Sequence, residues 1–245
     1  MEGGQVISLV IPTYNEKENI EKLVPEVFHI LKENSLEGEV IIVDDNSPDG
    51  TADTAEKLSK KHNLRVVRRE GKLGLSSAVL DGFIVSRGDI LGVMDADLSH
   101  PPEKIPEMVR LLQTYDMVLG SRKVPGGSIE DWTIGRKIVS GGATALAKPI
   151  TSIRDPMSGF FFINRSILDD ANLNPRGFKI ALEIAVKCNP SIKEVPITFR
   201  NRIHGESKMN RGEIWNYLMH LKGLYAFKTK CKLRLNKGCV PSKSY

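Results

Sequence analysis

Residues 89–122 read DILGVMDADLSHPPEKIPEMVRLLQTYDMVLGSR. The apolar run Ile90–Met94 predicts a buried strand over DILGVMDAD, and DMVLGSR predicts another. Between them PPEKIPEMVRLLQTY opens with prolines suited to a helix start. Strand, helix and strand in such short order make a βαβ unit of a parallel sheet. The first strand runs into two aspartates one residue apart, where burial is costly and like charges repel.

The same alternation extends upstream. QVISLVIP is a β-branched run that predicts a buried strand. EKENIEKLVPEVFHILKEN places Ile20, Leu23, Val24, Val27, Ile30 and Leu31 on one helical stripe, with Pro25 expected near its first turns. EVIIVDD is a second strand. SPDGTADTAEKLSKKH is a turn and a helix with Asp49 or Thr51 as N-cap, LRVVRR a third strand and LGLSSAVLDGFIVS a third helix. Repeated βαβ units imply a Rossmann-like, mostly parallel sheet flanked by helices. Beyond residue 124 the alternation stops. DWTIGRKIVSGGATALAK and EIWNYLMHLKGLYAF predict amphipathic helices, DPMSGFFFIN a loop entering a strand, IKEVPITFRNR a further strand and IHGESKMN a polar loop. No repeat or linker divides the chain, so one domain is expected over residues 1–228, followed by a basic tail over 229–245.

Apolar residues at 40% and charged residues at 27% of 245 suit a soluble domain with a sizeable core. Three cysteines, Cys188, Cys231 and Cys239, are odd in number and lack CxxC spacing, which disfavours a disulfide framework or zinc site. The N-terminal MEGGQVISLVIP lacks the pattern of a signal peptide, and no run approaches the roughly 18 apolar residues of a membrane span. The net charge of +5 is concentrated at one end. After Glu213 there are 7 basic and no acidic residues, which leaves 28 basic against 30 acidic, or −2, before it. That basic end is either a solvated tail or a surface drawn to anionic lipid, worth about 1 kcal/mol per Lys or Arg. Nucleic acid is not expected as a partner, since the tail carries few interleaved aromatics.

In a parallel α/β sheet the ligand sits at the carboxyl ends of the strands. The segments that follow the predicted strands, PTYNE, DDNSPDGT, DADLSHPP and GSRK, are all polar, and the opposite connections are not. On an extended backbone Asp95 and Asp97 would point to the same side. Two carboxylates aimed at one place call for a cation, and a hard divalent ion bound to phosphates is the natural one. DADLS also fits the D-x-D-x-[TS] pattern of phosphatases that form an aspartyl-phosphate, but those carry it on their first strand rather than the fourth. Neither GxGxxG after a strand nor GxxxxGK[ST] occurs, so dinucleotide and P-loop chemistry find no support.

In order and spacing, VIPTYNE, VDDNSPDGT, GLSSAVLDGF, MDADLSHPPE, GSRKVPGG, DPMSGFF and RNRIHGESKMN resemble the GT-A family 2 glycosyltransferases. More narrowly they resemble the dolichol-phosphate (polyprenol-phosphate) mannosyltransferases, over roughly residues 5–225. The resemblance implies a GT-A fold and a donor site built from Pro12, Tyr14, Glu16, Val43, Asp45, Asp95, Ala96, Asp97, Arg122, Arg202 and Lys208. It implies Mg²⁺ or Mn²⁺ at Asp95 and Asp97, with Ser99 at a further metal-side position that is Gln in some relatives. Arg122, Arg136 and Ser140 match acceptor-phosphate positions, and Asp97 and Arg122 are the expected catalytic residues. Other roles stay open at this point. Arg122 could be a surface salt-bridge partner, Lys208 a solvated loop charge, Tyr14 a packing residue, and His100 a structural residue rather than a base.

The implied activity is transfer of mannose from GDP-mannose to a polyprenyl (dolichyl) monophosphate with inversion. Its rivals are a polyprenyl-phosphate glucosyltransferase using UDP-glucose and, from a different class, a non-catalytic scaffold subunit at the membrane. A phosphate monoester, with second pKa about 6, is largely dianionic at neutral pH and can attack without a general base. A lipid acceptor implies peripheral placement on the cytoplasmic face of a membrane. The helix around 132–149, the stripe Ile214, Trp215, Leu218, Leu221, Leu224 and Tyr225, and the basic tail are the expected anchor, with a small membrane-anchoring subunit as another possible partner.

Overall fold

The computed structural model describes residues 5–130, 134–169, 171–174, 179–200 and 211–236. Its centre is a seven-stranded sheet built from β1 (Ile7–Thr13), β2 (Gly38–Asp44), β3 (Leu64–Arg68), β4 (Ile90–Val93), β5 (Met117–Ser121), β7 (Phe161–Asn164) and β8 (Ile192–Pro196). The strand order is β3-β2-β1-β4-β7-β5-β8, and all neighbours are parallel except β7, which runs antiparallel to both β4 and β5. A small parallel pair joins β6 (Ser128–Ile129) to β9 (Thr198–Phe199). The expected strand over IKEVPITFRNR is therefore two strands, interrupted at Ile197, whose amide bonds the Ser121 carbonyl at 3.0 Å.

Alternation along the strands feeds two cores. Ile7, Leu9 and Ile11 join Val40, Ile42 and Phe162 beneath α1 (Lys17–Glu33), α2 (Thr51–Ser59) and α4 (Ile105–Leu111). Val10, Ile41, Val43, Leu91 and Phe161 face α3 (Leu75–Val85) and α6 (Ile180–Lys187). A third, smaller cluster of Ala147, Ile150, Leu182, Tyr217, Leu221 and Leu224 joins α5 (Ile134–Ala147) and α7 (Arg211–Asn236) to α6.

Several local expectations change. Pro25 lies in the middle of the 17-residue α1 rather than its first turns; Glu21, whose carbonyl it leaves without an amide, is exposed. Gly50, with φ of 81°, is the N-cap of α2, while Asp49 caps from one residue earlier by accepting the Thr51 amide at 2.9 Å. Helix α6 was not anticipated; residues Ile180 to Ala185 are all buried, Glu183 included, so no amphipathic period announces it. The boundary expected at residue 229 falls inside α7, which continues as helix to Asn236. The anchor stripe is also divided. Leu221 and Leu224 are buried in the third cluster with Tyr217, leaving Ile214, Trp215, Leu218 and Tyr225 exposed. No described helix is long and apolar enough to cross a membrane.

Candidate active site

The carboxyl edge of the parallel strands gathers most of the anticipated segments. The first two loops are laced together. Thr13 donates to Asp44 Oδ1 at 2.9 Å, and the Asn15, Glu16 and Lys17 amides reach Ser47, Thr51 and Asp49. Asn15 (φ 58°) and Asn46 (φ 57°) turn these loops in the left-handed region, which asparagine tolerates. Pro12 and Tyr14 are half-buried and Val43 is buried, with the Lys72 ammonium 3.8 Å from the centre of the Tyr14 ring. Glu16 accepts from the Asn19 amide nitrogen at 2.7 Å. Asp45 is buried and held on both oxygens. Arg69 Nη1 bonds Oδ1, and the Gly74 amide bonds Oδ2 at 3.0 Å. Gly74 has a φ of 100°, which a side chain would disfavour, so the glycine is what lets that amide turn toward Asp45.

Strand β4 ends at Val93, earlier than expected, and residues 96–98 form a bend rather than an extended edge. Leu98 turns it with a φ of 60°, a costly conformation for leucine and the kind of strain that collects at functional sites. The two aspartates therefore meet different surroundings. Asp97 is buried, and its Oδ1 accepts both the Ser99 hydroxyl (2.5 Å) and the Ser99 amide (3.1 Å). Ser99 is wholly buried with its hydroxyl turned onto Asp97, so here it supports a carboxylate rather than standing open as a ligand. Ala96 is buried between them.

Asp95 stays half-buried, and its carboxylate accepts no hydrogen bond among the described residues; His100 Nε2 lies 3.8 Å away. Gly159 lies against it, since a Cβ there would come within 3.3 Å of both carboxylate oxygens. Among the described residues no three or more Asp, Glu, His or Cys side chains are grouped so as to hold a metal ion by themselves. A divalent cation at this bend would draw two carboxylates from the chain and complete its shell with phosphate oxygens and water, the ligand set hard cations accept. The half-exposed Asp95 and the pinned Asp97 fit that arrangement.

His100 resolves as a structural residue. Its Nδ1 accepts the Asp95 amide at 3.2 Å, and its ring stacks on Phe160 and meets the edge of Phe199. Burial holds its pKa below the ordinary imidazole value despite the opposing charges of Asp95 and Asp97, so it is neutral with its proton on Nε2.

Arg122 is buried rather than a surface ion-pair partner. Its Nε and Nη2 donate to Asp155 at 2.6 and 2.7 Å, its own amide donates to Asp155 at 3.0 Å, and its guanidinium lies 5.1 Å from the Phe199 ring centre. Burial would raise the Asp155 pKa, but the Arg122 hydrogen bonds and charge outweigh it and hold the carboxyl below the usual range. Ser140 is also buried, one turn along α5 from Arg136, whose side chain is not among those described. Arg202 and Lys208 lie outside the described residues.

Sequence reasoning missed Asp155, Gly159 and Arg69. The first two precede β7, and because β7 is antiparallel its leading segment arrives at the edge that parallel strands leave. DPMSGFF carried the signal, but a rule about segments following strands could not use it. Arg69 comes directly after β3.

A Rossmann-like sheet with an Asp-Ala-Asp bend, a clamped arginine and an acidic second loop at one edge defines a glycosyltransferase of GT-A architecture. Residues 8–171 match Glycosyl transferase family 2, and the chain belongs to that family. It is 44% identical over 224 residues to a dolichol-phosphate mannosyltransferase of Pyrococcus furiosus, covering 88% of this chain and 62% of that protein. It is 42% identical over 233 residues to the dolichol-phosphate mannosyltransferase of Saccharomyces cerevisiae, covering 90% and 87%. The chain thus spans less than two thirds of the Pyrococcus protein and most of the yeast one. Among solved structures, glucosyl-3-phosphoglycerate synthase from Mycobacterium tuberculosis in complex with Mn²⁺, uridine-diphosphate and glucosyl-3-phosphoglycerate shares the fold with a TM-score of 0.64 at 21% identity, covering 93% and 81%. Mannosyl-3-phosphoglycerate synthase from Rubrobacter xylanophilus does so at 0.62 and 16%, covering 98% and 78%.

Proposed function

We propose that this glycosyltransferase moves mannose from GDP-mannose to dolichyl or another polyprenyl monophosphate, inverting the anomeric carbon. The observation that carries the reading is the Asp95–Asp97 bend together with the Arg122–Asp155 clamp, in a chain 41–44% identical to three proteins named dolichol-phosphate mannosyltransferase. A phosphate oxygen of the acceptor attacks the sugar C1, and the bond from C1 to the GDP oxygen breaks with its electron pair leaving on the diphosphate. A dianionic monoester and a doubly charged donor become a singly charged diester and triply charged GDP, so charge balances with no proton moved. No residue has to act as base, which agrees with a buried His100 whose Nδ1 lone pair is already taken by the Asp95 amide.

The chain's task is then to position two anions and to offset the charge that develops on one of them. Pro12, Tyr14, Glu16, Val43 and Asp45 would cradle the nucleoside. Asp95 and Asp97 would hold Mg²⁺ or Mn²⁺, which when bound offsets charge on the departing diphosphate. Arg202 and Lys208 would meet the same diphosphate. Arg122, set by Asp155, would face the sugar and acceptor phosphate with Arg136 and Ser140.

A lipid acceptor requires a membrane. Ile138 is 70% and Trp215 64% exposed, on helices α5 and α7 that pack together, and Lys222, Lys228, Lys230 and Lys232 line α7. That surface supports peripheral binding to a cytoplasmic membrane face, directly or through a small anchoring subunit. The direct experiment is transfer of labelled mannose from GDP-mannose to a short polyprenyl phosphate, with and without Mn²⁺ or Mg²⁺, with UDP-glucose as competing donor. Metal-dependent transfer from GDP-mannose is expected; transfer from UDP-glucose alone, or from neither, refutes the reading.

A further inference from the structure

We propose that Lys123 is a second cation of the acceptor site, an ammonium held by α5 for the oxygens of a phosphate monoester. The inference rests on the acceptor reading above and adds to it a residue that neither the sequence pattern nor the resemblance singled out. Arg122 and Lys123 are adjacent, yet they reach different partners. Arg122 is taken by Asp155, whereas the Lys123 ammonium donates to the Thr144 hydroxyl and lies 3.5 Å from the Ser140 carbonyl oxygen on α5. Thr144 donates to that same carbonyl at 2.8 Å, so its hydroxyl accepts from Lys123 and donates to Ser140.

Two features of that turn lack a counterpart. Lys123 is half-buried and forms no ion pair with any described carboxylate, because the nearby Asp155 is already bound bidentately by Arg122. Burial lowers its pKa, and the charges of Arg122 and Lys148 add to that effect against the pull of Asp155. Independently, Ser140 is only 9% exposed and its hydroxyl oxygen has no hydrogen-bond partner among the described residues. Buried charges and hydroxyls are normally paired. Among the described residues an ammonium without a carboxylate reaches the same turn of α5 that carries a hydroxyl without a partner, which matches a ligand that brings acceptor atoms and negative charge. Tethering α5 to β5 would require neither the charge nor the unpaired hydroxyl.

Phosphate oxygens at this place could belong to the acceptor monoester or to the diphosphate of GDP. The whole chain is compared as wild type, K123M and K123R by calorimetry with farnesyl phosphate, with farnesol, and with GDP plus Mn²⁺. Steady-state kinetics with GDP-mannose and a short polyprenyl phosphate complete the set. K123M should weaken farnesyl phosphate binding and raise the acceptor KM about tenfold, equivalent to about 1.4 kcal/mol. GDP affinity, the GDP-mannose KM and the melting temperature should stay at wild-type values, and K123R should recover most of the loss. Unchanged farnesyl phosphate binding overturns the proposal, as do equal losses for farnesyl phosphate and farnesol, or a loss confined to GDP. A wild type that discriminates farnesyl phosphate from farnesol through Lys123 but transfers no mannose would overturn the activity and leave this phosphate site standing.

Discussion

Asp155→Asn changes one oxygen to an amide and tests whether Arg122 depends on a buried ion pair. Asp155 is fully buried and accepts three hydrogen bonds from Arg122, at 2.6, 2.7 and 3.0 Å. Asparagine keeps one acceptor and turns an NH₂ group toward the guanidinium, so a buried charge loses its counter-ion and two donors face each other. Breaking a buried pair by removing one partner costs about 3–5 kcal/mol. For a chain of this size each kcal/mol lowers Tm by about 2–4 °C, so a fall of roughly 6–20 °C is expected. Mannose transfer should fall at least about a hundredfold in kcat at temperatures where the variant is still folded, about 2.7 kcal/mol in the barrier. The double variant R122M/D155L replaces both charges with apolar groups and should regain much of the stability while staying inactive, which separates the structural cost of the unpaired charge from the catalytic one. Thermal and urea melts with a transfer assay read all of this. A D155N protein within about 1 kcal/mol of wild type would refute the reasoning. Because Asp155 titrates below the ordinary carboxylate value of about 4, the pair's contribution is complete above that pH and is lost as pH falls through the depressed folded pKa.

Four further substitutions test other parts of the structure. Asp97→Ala should abolish metal-dependent turnover with the fold retained, and Ser99→Ala should raise the Mn²⁺ concentration for half-maximal rate about tenfold; undiminished transfer by D97A would remove the metal assignment. Burial alone would raise the pKa of Glu183, but His220, whose Nε2 lies 3.3 Å from Oε2, the Lys187 ammonium 2.6 Å from Oε1 and the hydrogen bond from the Asn174 amide hold it below the usual range, so its stabilising share is present above about pH 4.5 and fades as pH falls. The Tm difference between wild type and Glu183→Gln should accordingly shrink between pH 6 and pH 3, and a gap independent of pH would contradict it. Trp215→Glu should weaken partitioning onto anionic liposomes about tenfold or more, since an exposed indole on α7 is replaced by a charge; unchanged partitioning would take that face out of contact with lipid.

The first half of the fold was legible because its strands are buried on both faces and its helices carry regular stripes, so β1 to β5 and α1 to α4 occur in the order the residue pattern gives, with β4 and α4 shorter than expected. Legibility failed where chain direction changes. Asp155 and Gly159 reach the site by preceding an antiparallel strand, and residue order alone does not reveal that reversal. The pairing of Asp95 with Asp97 was read as an extended-edge effect, but the structure reaches it through a bend at Leu98 that sets one carboxylate in the interior and leaves the other at the opening. Helix α7 shows a third limit. Its apolar residues satisfy one helical pattern, yet some cover α6 and others face outward, because packing decides which half of a wide stripe is buried.

The two ends of the sheet show why charge alone does not mark the site. At the amino edge Glu39 is buried and both of its oxygens are taken. Oε1 accepts from Ser8 at 2.6 Å and the Arg87 amide at 2.8 Å, and Oε2 accepts from Arg65 at 2.9 and 2.7 Å. Such a closed, self-neutral network fastens strands together and offers nothing to a ligand. The carboxyl edge is built differently. Asp44, Asp97 and Asp155 are each fixed by neighbours, whereas Asp95 is left without a hydrogen bond and Lys123 without a carboxylate among the described residues. Among the described residues, the anion that follows β4 and the cation that follows β5 each lack an opposite charge within ion-pair reach, His100 being neutral. The proposed reaction, joining a dianionic nucleophile to a donor that leaves as a trianion, would draw on that polarity, with a bound cation where the diphosphate departs and fixed positive charge where the phosphate arrives. On this reading the pinned residues set the geometry, while Asp95 and Lys123 keep charge for what enters.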